Sequence, residues 1–335
     1  MGLGWLMKTE ISTPGKVFLS GEYLVLDGSL ATILATKQKA NITIEGNSGP
    51  NNILHSLPLN KSFTFAVNDN FQIQWNDKDP KELGLLIELA ILEMKIRPKN
   101  TTFTIDTTEF YYNNKKIGIG SSAAISLSLI KAIDSHFGIK SRTNAIIDKA
   151  IRLHKKKQSN LGSGLDIIAS FSDERLIECD INSLTNKTWK KHQWPSNLFI
   201  KGVLTNHESI TTKMIDKYNQ GHLLNKEFFE TLKFDADKVL EKLSMSWSEK
   251  NTSSVLRYME DYKIIMQRLN QQYTIGIYTD QHQALLDLAN KFEIFYKPSG
   301  AGGGDLGFML TDNQSNLKKF NNLLIDNNFK TIDLI

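Results

Sequence analysis

The chain has 335 residues, 40% hydrophobic and 23% charged, the proportions of an ordinary globular protein, which exclude a fibre, a disordered tail and a mini-protein. The 40 Lys and Arg against 36 Asp and Glu give a formal charge of +4, too small and too evenly spread for a nucleic-acid footprint, although a small anionic ligand stays open. Cys179, alone of its kind, cannot form an internal disulfide and fits a reducing compartment. At roughly 150 residues per domain the length points to two domains or one large one.

In chain order, residues 10–43 alternate β-prone pieces with a turn at Asp27-Gly28 and predict strands of one sheet. Strand character continues over 63–67, 71–75 and 102–105, while 83–95 carries apolar residues at helical spacing and ends at Arg97-Pro98. That stretch is interrupted by Glu88 and Glu93 and falls short of the ~20 residues needed to cross a bilayer. The apolar run before Lys8 is too short for a signal peptide, so a cytoplasmic protein without a membrane partner is expected.

Helical periodicity starts at Ser121 and stops at Gly138, and a second helix covers 143–156. A β-prone stretch follows at 198–204, then helical patterns over 211–271, a helix near 282–292 and a strand at 307–310. Polar residues and Pro195 gather over 182–197. A boundary there divides an α+β chain into 1–188 and 189–335.

Gly118-Ile-Gly-Ser-Ser-Ala-Ala leads straight into a helix. Successive N–H groups at a helix start bind anions, with phosphate the natural guest. Glycine lets the backbone approach phosphate oxygens, and Ser121 and Ser122 offer hydroxyls for phosphate or magnesium. A tight loop with a serine cap is the plainer alternative. Gly118, Gly120 and Ala123 also match the dinucleotide pattern G-x-G-x-x-G/A. That fingerprint should follow a buried strand, whereas Glu109-Phe-Tyr-Tyr-Asn-Asn-Lys-Lys is polar and basic.

A second cluster, Lys297-Pro-Ser-Gly-Ala-Gly-Gly-Gly-Asp, has four glycines in the five positions 300–304. This is more freedom than a hairpin needs, and it suggests backbone wrapped against a ligand, a flexible turn being the alternative. Lys16 stands on an otherwise apolar strand, and Asp166 follows a Gly-Ser-Gly turn at a helix start. A buried lysine calls for an anionic partner.

Pro14-Gly-Lys-Val-Phe-Leu-Ser-Gly-Glu-Tyr, Gly118-Ile-Gly-Ser-Ser-Ala-Ala and Pro298-Ser-Gly-Ala-Gly-Gly-Gly-Asp, in this order, resemble the three motifs of the GHMP kinases, the superfamily of galactokinase, homoserine kinase, mevalonate kinase and phosphomevalonate kinase. Within it the chain resembles most the phosphomevalonate kinase branch. Tyr23 follows Gly21-Glu22 where mevalonate kinases tend to carry His. Phe110-Tyr-Tyr-Asn-Asn-Lys-Lys-Ile lacks the proline common before the middle motif. His154, Gln158 and Gly162-Ser-Gly-Leu-Asp complete the likeness. Leu306 replaces a usual Cys or small residue, and no Glu stands at an obvious counterpart of the mevalonate kinase magnesium ligand.

The resemblance implies a two-domain α+β fold, with a ribosomal-protein-like N-terminal domain, a ferredoxin-like C-terminal domain and an active site between them. It implies ATP and Mg2+, and transfer of the γ-phosphoryl group to 5-phosphomevalonate. A mevalonate or other small-alcohol kinase is the alternative, and a non-catalytic ligand-binding homologue the more distant one. Lys16 and Asp166 become the catalytic pair. Gly118, Ile119, Gly120, Ser121, Ser122, Ala123 and Ala124 become the ATP site, with Ser122 also on the metal. Ser20, Glu22, Tyr23, His154, Ser163, Gly164, Lys297, Ser299, Gly300, Ala301 and Gly302 are expected to bind the acceptor, in a monomer or homodimer. A phosphate acceptor would need further positive charge, for which Lys115, Lys116, His154 and Lys297 are available.

Overall fold

Two long strands, β1 (Thr9–Ser20) and β2 (Ala31–Gly46), pair antiparallel with Lys16 opposite Ala35, burying alternate side chains over 13–19 and 36–44 and every residue over 31–36. The computed structural model describes residues 8–76, 80–158, 162–172, 174–205, 211–304 and 306–335. After β2 come β3 (Asn52–Ser56), β4 (Lys61–Val67), β5 (Ile73–Trp75), α1 (Glu82–Met94) and β6 (Thr101–Asp106). A small hairpin of β7 (Tyr111–Tyr112) and β8 (Lys115–Lys116) then precedes α2 (Ser121–His136), α3 (Thr143–Lys157) and α4 (Leu165–Phe171). The first half closes with β9 (Leu176–Cys179), α5 (Asn182–Asn186) and β10 (Lys190–His192).

These strands make one sheet in the order β10-β9-β2-β6-β3-β4-β5, with β1 on β2. The helix α2 packs against β1 and β2, burying Leu127, Ile130 and Ile133 with Ile42, Ile44 and Phe103. It tolerates burial of its serines because Ser126 Oγ donates to the Ser122 carbonyl at 2.8 Å and Ser128 Oγ lies 2.5 Å from Thr13 Oγ1. The strand β3, which pairs parallel to β6, follows a Gly- and Asn-rich turn and carries too short an alternation to announce itself.

The second half contains β11 (Phe199–Leu204), α6 (Thr211–Leu224), α7 (Lys226–Glu249), α8 (Thr252–Tyr273) and α9 (Asp280–Lys291), followed by β12 (Phe295–Pro298), β13 (Leu306–Thr311), α10 (Gln314–Asp326) and β14 (Lys330–Asp333). Its sheet runs β12-β13-β11-β14. Leu285 and Phe320 of α9 and α10 share a core with Met309, while α6, α7 and α8 enclose Tyr23 and Leu24 from the first half. The two halves are thus joined by an apolar contact as well as by chain. The expected division at 188/189 falls ahead of β10, which still pairs with β9, so the first sheet extends to His192. Among the described residues no helix is long and apolar enough to cross a membrane.

Candidate active site

Lys16 is placed by its own strand. Its backbone N–H donates to the Ile119 carbonyl at 2.8 Å, and a Cβ on the preceding Gly15 would lie 2.5 Å from that same oxygen. Only glycine lets β1 run this close to the loop before α2. Beyond the backbone, the lysine stem crosses Gly120, where a Cβ would sit 2.7 Å from Lys16 Cε. The ammonium group is 5.0 Å from the Phe18 ring centroid.

Gly118 and Gly120 both take positive φ, +74° and +77°, which turns the chain into α2 under the lysine. The first bond of the helix runs from the Ala124 N–H to the Gly120 carbonyl. The N–H groups of Ser121, Ser122 and Ala123 therefore precede the helical ladder, as an anion site requires. Two expectations change here. The Ala124 N–H is already used and its methyl is fully buried. Ile119 is likewise core, contributing its carbonyl to Lys16.

Asp166 lies in the first turn of α4, behind Gly164 at φ +83°. Its Oδ2 is 2.9 Å from His154 Nε2, and His154 Nδ1 is 3.4 Å from Ser122 Oγ. Burial by itself would raise the Asp166 pKa, but the adjacent His154 and then Lys16 outweigh it and hold the carboxyl well below the usual carboxylate range. The carboxylate is ionised at neutral pH. His154 is 1% exposed, wedged between Ser122 and Asp166. It is not the open cation expected for an acceptor.

A pocket of about 140 Å³ opens in front of these groups, lined by Lys16, Phe18, Glu22, Tyr23, Gln158, Gly162, Ser163, Gly164, Asp166, Thr211, Gly300 and Ala301 among others. Six of the eleven expected acceptor residues meet here, as the pairs Glu22-Tyr23, Ser163-Gly164 and Gly300-Ala301 from three distant segments. Five do not, the enclosed His154 among them. Lys297 donates to Glu22 Oε1 at 2.5 Å and is buried, so its charge is spent on the protein. Ser299 Oγ donates to the Phe18 carbonyl at 3.1 Å. Gly302 packs on Ile277, whose Cγ2 would be 2.6 Å from a Cβ there. Ser20 is fully buried. Asp305 of the last motif lies outside the described residues.

A larger pocket of about 520 Å³ begins at Ile117, next to the glycine loop, and is lined by Tyr112, Lys116, Thr205, Phe329, Lys330 and Thr331 among others. Sequence reasoning pointed to none of Tyr112, Thr205 or Thr331, because they come from the hairpin, the end of β11 and β14. Lys297 carried a readable signal: a lysine between Tyr296 and Pro298 on a wholly buried strand needs an anion nearby. Among the described residues no group of three or more His, Cys, Asp or Glu could hold a metal ion.

Residues 86–174, from within α1 through α4, match the family model described as GHMP kinases N terminal domain. The chain is 24% identical to a phosphomevalonate kinase from Streptomyces sp., over 89% of this chain and 88% of that one. It is 26% identical to a mevalonate kinase from Methanocaldococcus jannaschii, covering 91% and 92%. Its fold is similar to the crystal structure of the Lin0012 protein from Listeria innocua, with a TM-score of 0.83, 18% identity and 98% of each chain covered.

Proposed function

For a chain that belongs to the GHMP kinase superfamily, an ATP-dependent small-molecule kinase, we propose that the reaction is transfer of the γ-phosphoryl group of ATP to 5-phosphomevalonate, giving 5-diphosphomevalonate and ADP. One observation carries the chemistry: Lys16 and the ionised Asp166 line the same pocket, and the Lys16 stem lies on the glycine loop that opens α2. The choice of acceptor is supported by the likeness to the Streptomyces enzyme.

Phosphoryl transfer is chiefly positioning and charge stabilisation. The N–H groups of Ser121, Ser122 and Ala123 would hold nucleotide phosphates, and the 520 Å³ pocket beyond Ile117 offers room for the nucleoside end. Lys16 would lie beside the group in flight and neutralise its growing charge. Asp166 would orient Lys16 and the acceptor. A phosphate monoester has a second pKa near ~6 and needs no base at neutral pH. Magnesium binds through few protein ligands plus water and phosphate oxygens, and the donor set here, the Ser122 hydroxyl beside an anion loop, fits that habit. When bound, it would neutralise charge on the phosphates.

A hydroxyl acceptor, mevalonate or another small alcohol, is the second reading. Lys16 is the one cation among the described residues lining the 140 Å³ pocket, against the carboxylates of Glu22 and Asp166. An ionised carboxylate beside an alcohol is a general base. Coupled ADP release with phosphomevalonate, mevalonate, galactose and homoserine side by side separates the two. Preference for phosphomevalonate supports the first reading, preference for mevalonate replaces it with the second, and no acceptor-dependent ADP release overturns both.

A further inference from the structure

One face of α6 carries Thr211, Ile215, Tyr218 and His222 at spacings of four, three and four residues, so the four side chains form a single stripe along the helix. The stripe serves two ends. Thr211 and Ile215 line the pocket of about 140 Å³. Tyr218, fully buried, donates its hydroxyl to Asp27 Oδ2 at 2.5 Å, and His222 Nδ1 lies 3.6 Å from Asp27 Oδ1. Burial and then Asp27 raise the Tyr218 pKa, so the phenol keeps its proton and remains a donor.

Asp27 ends the helical turn Leu24–Asp27, directly after Glu22 and Tyr23. In that same segment Glu22, Tyr23, Val25 and Leu26 line the pocket. One short piece of chain therefore supplies a wall of the pocket and the anchor for α6, which supplies another. We propose that Asp27 is a positioning residue for the acceptor site: by holding Tyr218 it sets Ile215, one helical turn away, against the acceptor. Ile215 there adds to the apolar lining of Val25 and Leu26 and receives an alkyl branch, such as the methyl group of 5-phosphomevalonate. A hydrogen bond to a carboxylate is short and directional, so it fixes the helix where the apolar core of Met214, Tyr23 and Leu24 alone would let it shift. The inference rests on the kinase reading for naming this pocket the acceptor's.

Tyr218→Phe removes the hydroxyl and keeps the ring in its core. It should raise the KM for 5-phosphomevalonate about tenfold, the scale of a lost hydrogen bond to a charged group, while kcat stays within a few-fold and ADP affinity by calorimetry within about two-fold of wild type. Asp27→Ala should do the same, and Asp27→Asn, whose amide oxygen still accepts, should recover most of the loss. Ile215→Ala should raise the same KM by itself. Adding Tyr218→Phe to it should then change KM by less than about two-fold, because the contact that the anchor sets is already gone. Effects that multiply in the double variant would overturn the proposal, as would a loss of ADP affinity equal to the rise in acceptor KM.

Hydrogen exchange reads the anchor without turnover. The amides of α6 should exchange about tenfold faster or more in Tyr218→Phe than in wild type, while those of β2 and α2 keep their protection. Unchanged protection of α6, or faster exchange through the whole chain, overturns the proposal. Should wild-type protein release no ADP with 5-phosphomevalonate, the acceptor reading fails while the exchange result still decides whether Asp27 holds α6.

Discussion

Lys297 of β12 and Glu22, in the turn after β1, form an ion pair across the two halves of the molecule: Nζ stands 2.5 Å from Oε1, with side chains 3% and 2% exposed. The ammonium also donates to the Pro298 carbonyl at 2.9 Å. Burial lowers the Lys297 pKa, and Glu22 opposes that shift. Beside the pair, Tyr23 donates its hydroxyl to the Ala301 carbonyl at 2.5 Å, so the last glycine loop is fastened to the first motif.

Removing one partner leaves the other charged and buried. Lys297→Met should cost about 3–5 kcal/mol, and adding Glu22→Gln should restore most of it. Urea unfolding of the single and double variants checks this. A single-variant loss below about 1 kcal/mol, the scale of a surface pair, would contradict it.

Gly120→Val places a branched side chain against the Lys16 stem and in a left-handed backbone region, at φ +77°. Nucleotide binding should vanish in calorimetry while circular dichroism still reports a folded chain. Unchanged affinity would mean that the loop serves only to start the helix.

Glycines 300 and 302 should behave differently, although both have positive φ. Nothing lies within 4 Å of a Cβ built at Gly300, and that residue lines the acceptor pocket. Gly300→Asn, a residue tolerant of this conformation, should leave the thermal midpoint within a few degrees and raise the acceptor KM. Gly302→Val meets the Ile277 side chain and, at 2.8 Å, its carbonyl. It should lower the midpoint by about 10 °C or more, as a clash of several kcal/mol does. Reversed outcomes would restore Gly302 to the acceptor site.

Lys16→Met should lower turnover by about 10²–10³, the usual loss when a donor aimed at the transition state is removed. Asp166→Asn should cost less and vary little with pH if the acceptor is a phosphate. A larger defect in the Asn variant, relieved from about pH 6 to 9, is the signature of a general base and would select the alcohol reading.

Asp166 also links stability to acid. Its folded pKa is lower than the unfolded value of 3.8, so its contribution is present above that value and disappears as pH falls toward the folded pKa. The wild type should therefore lose stability below about pH 4 more steeply than Asp166→Asn. Parallel pH profiles of the two midpoints would show that the His154 contact adds nothing to the fold.

What the sequence determined was local. Gly118, Gly120, Gly164 and Gly300 were legible as special positions because a positive φ is a property of the residue itself, and all four adopt one. The helix starts at Ser121 and near Asp166, and the lysine beside Gly15, followed from the same short-range chemistry. What only the tertiary structure decided was pairing. Whether Lys297 met a substrate or Glu22, 275 positions away, depends on how β12 meets the turn after β1. The junction of His154 with both Ser122 and Asp166 depends on three helices converging. A charged or imidazole side chain advertises its need for a partner in sequence, but the low dielectric of the interior makes the partner's identity a matter of distances that only packing sets.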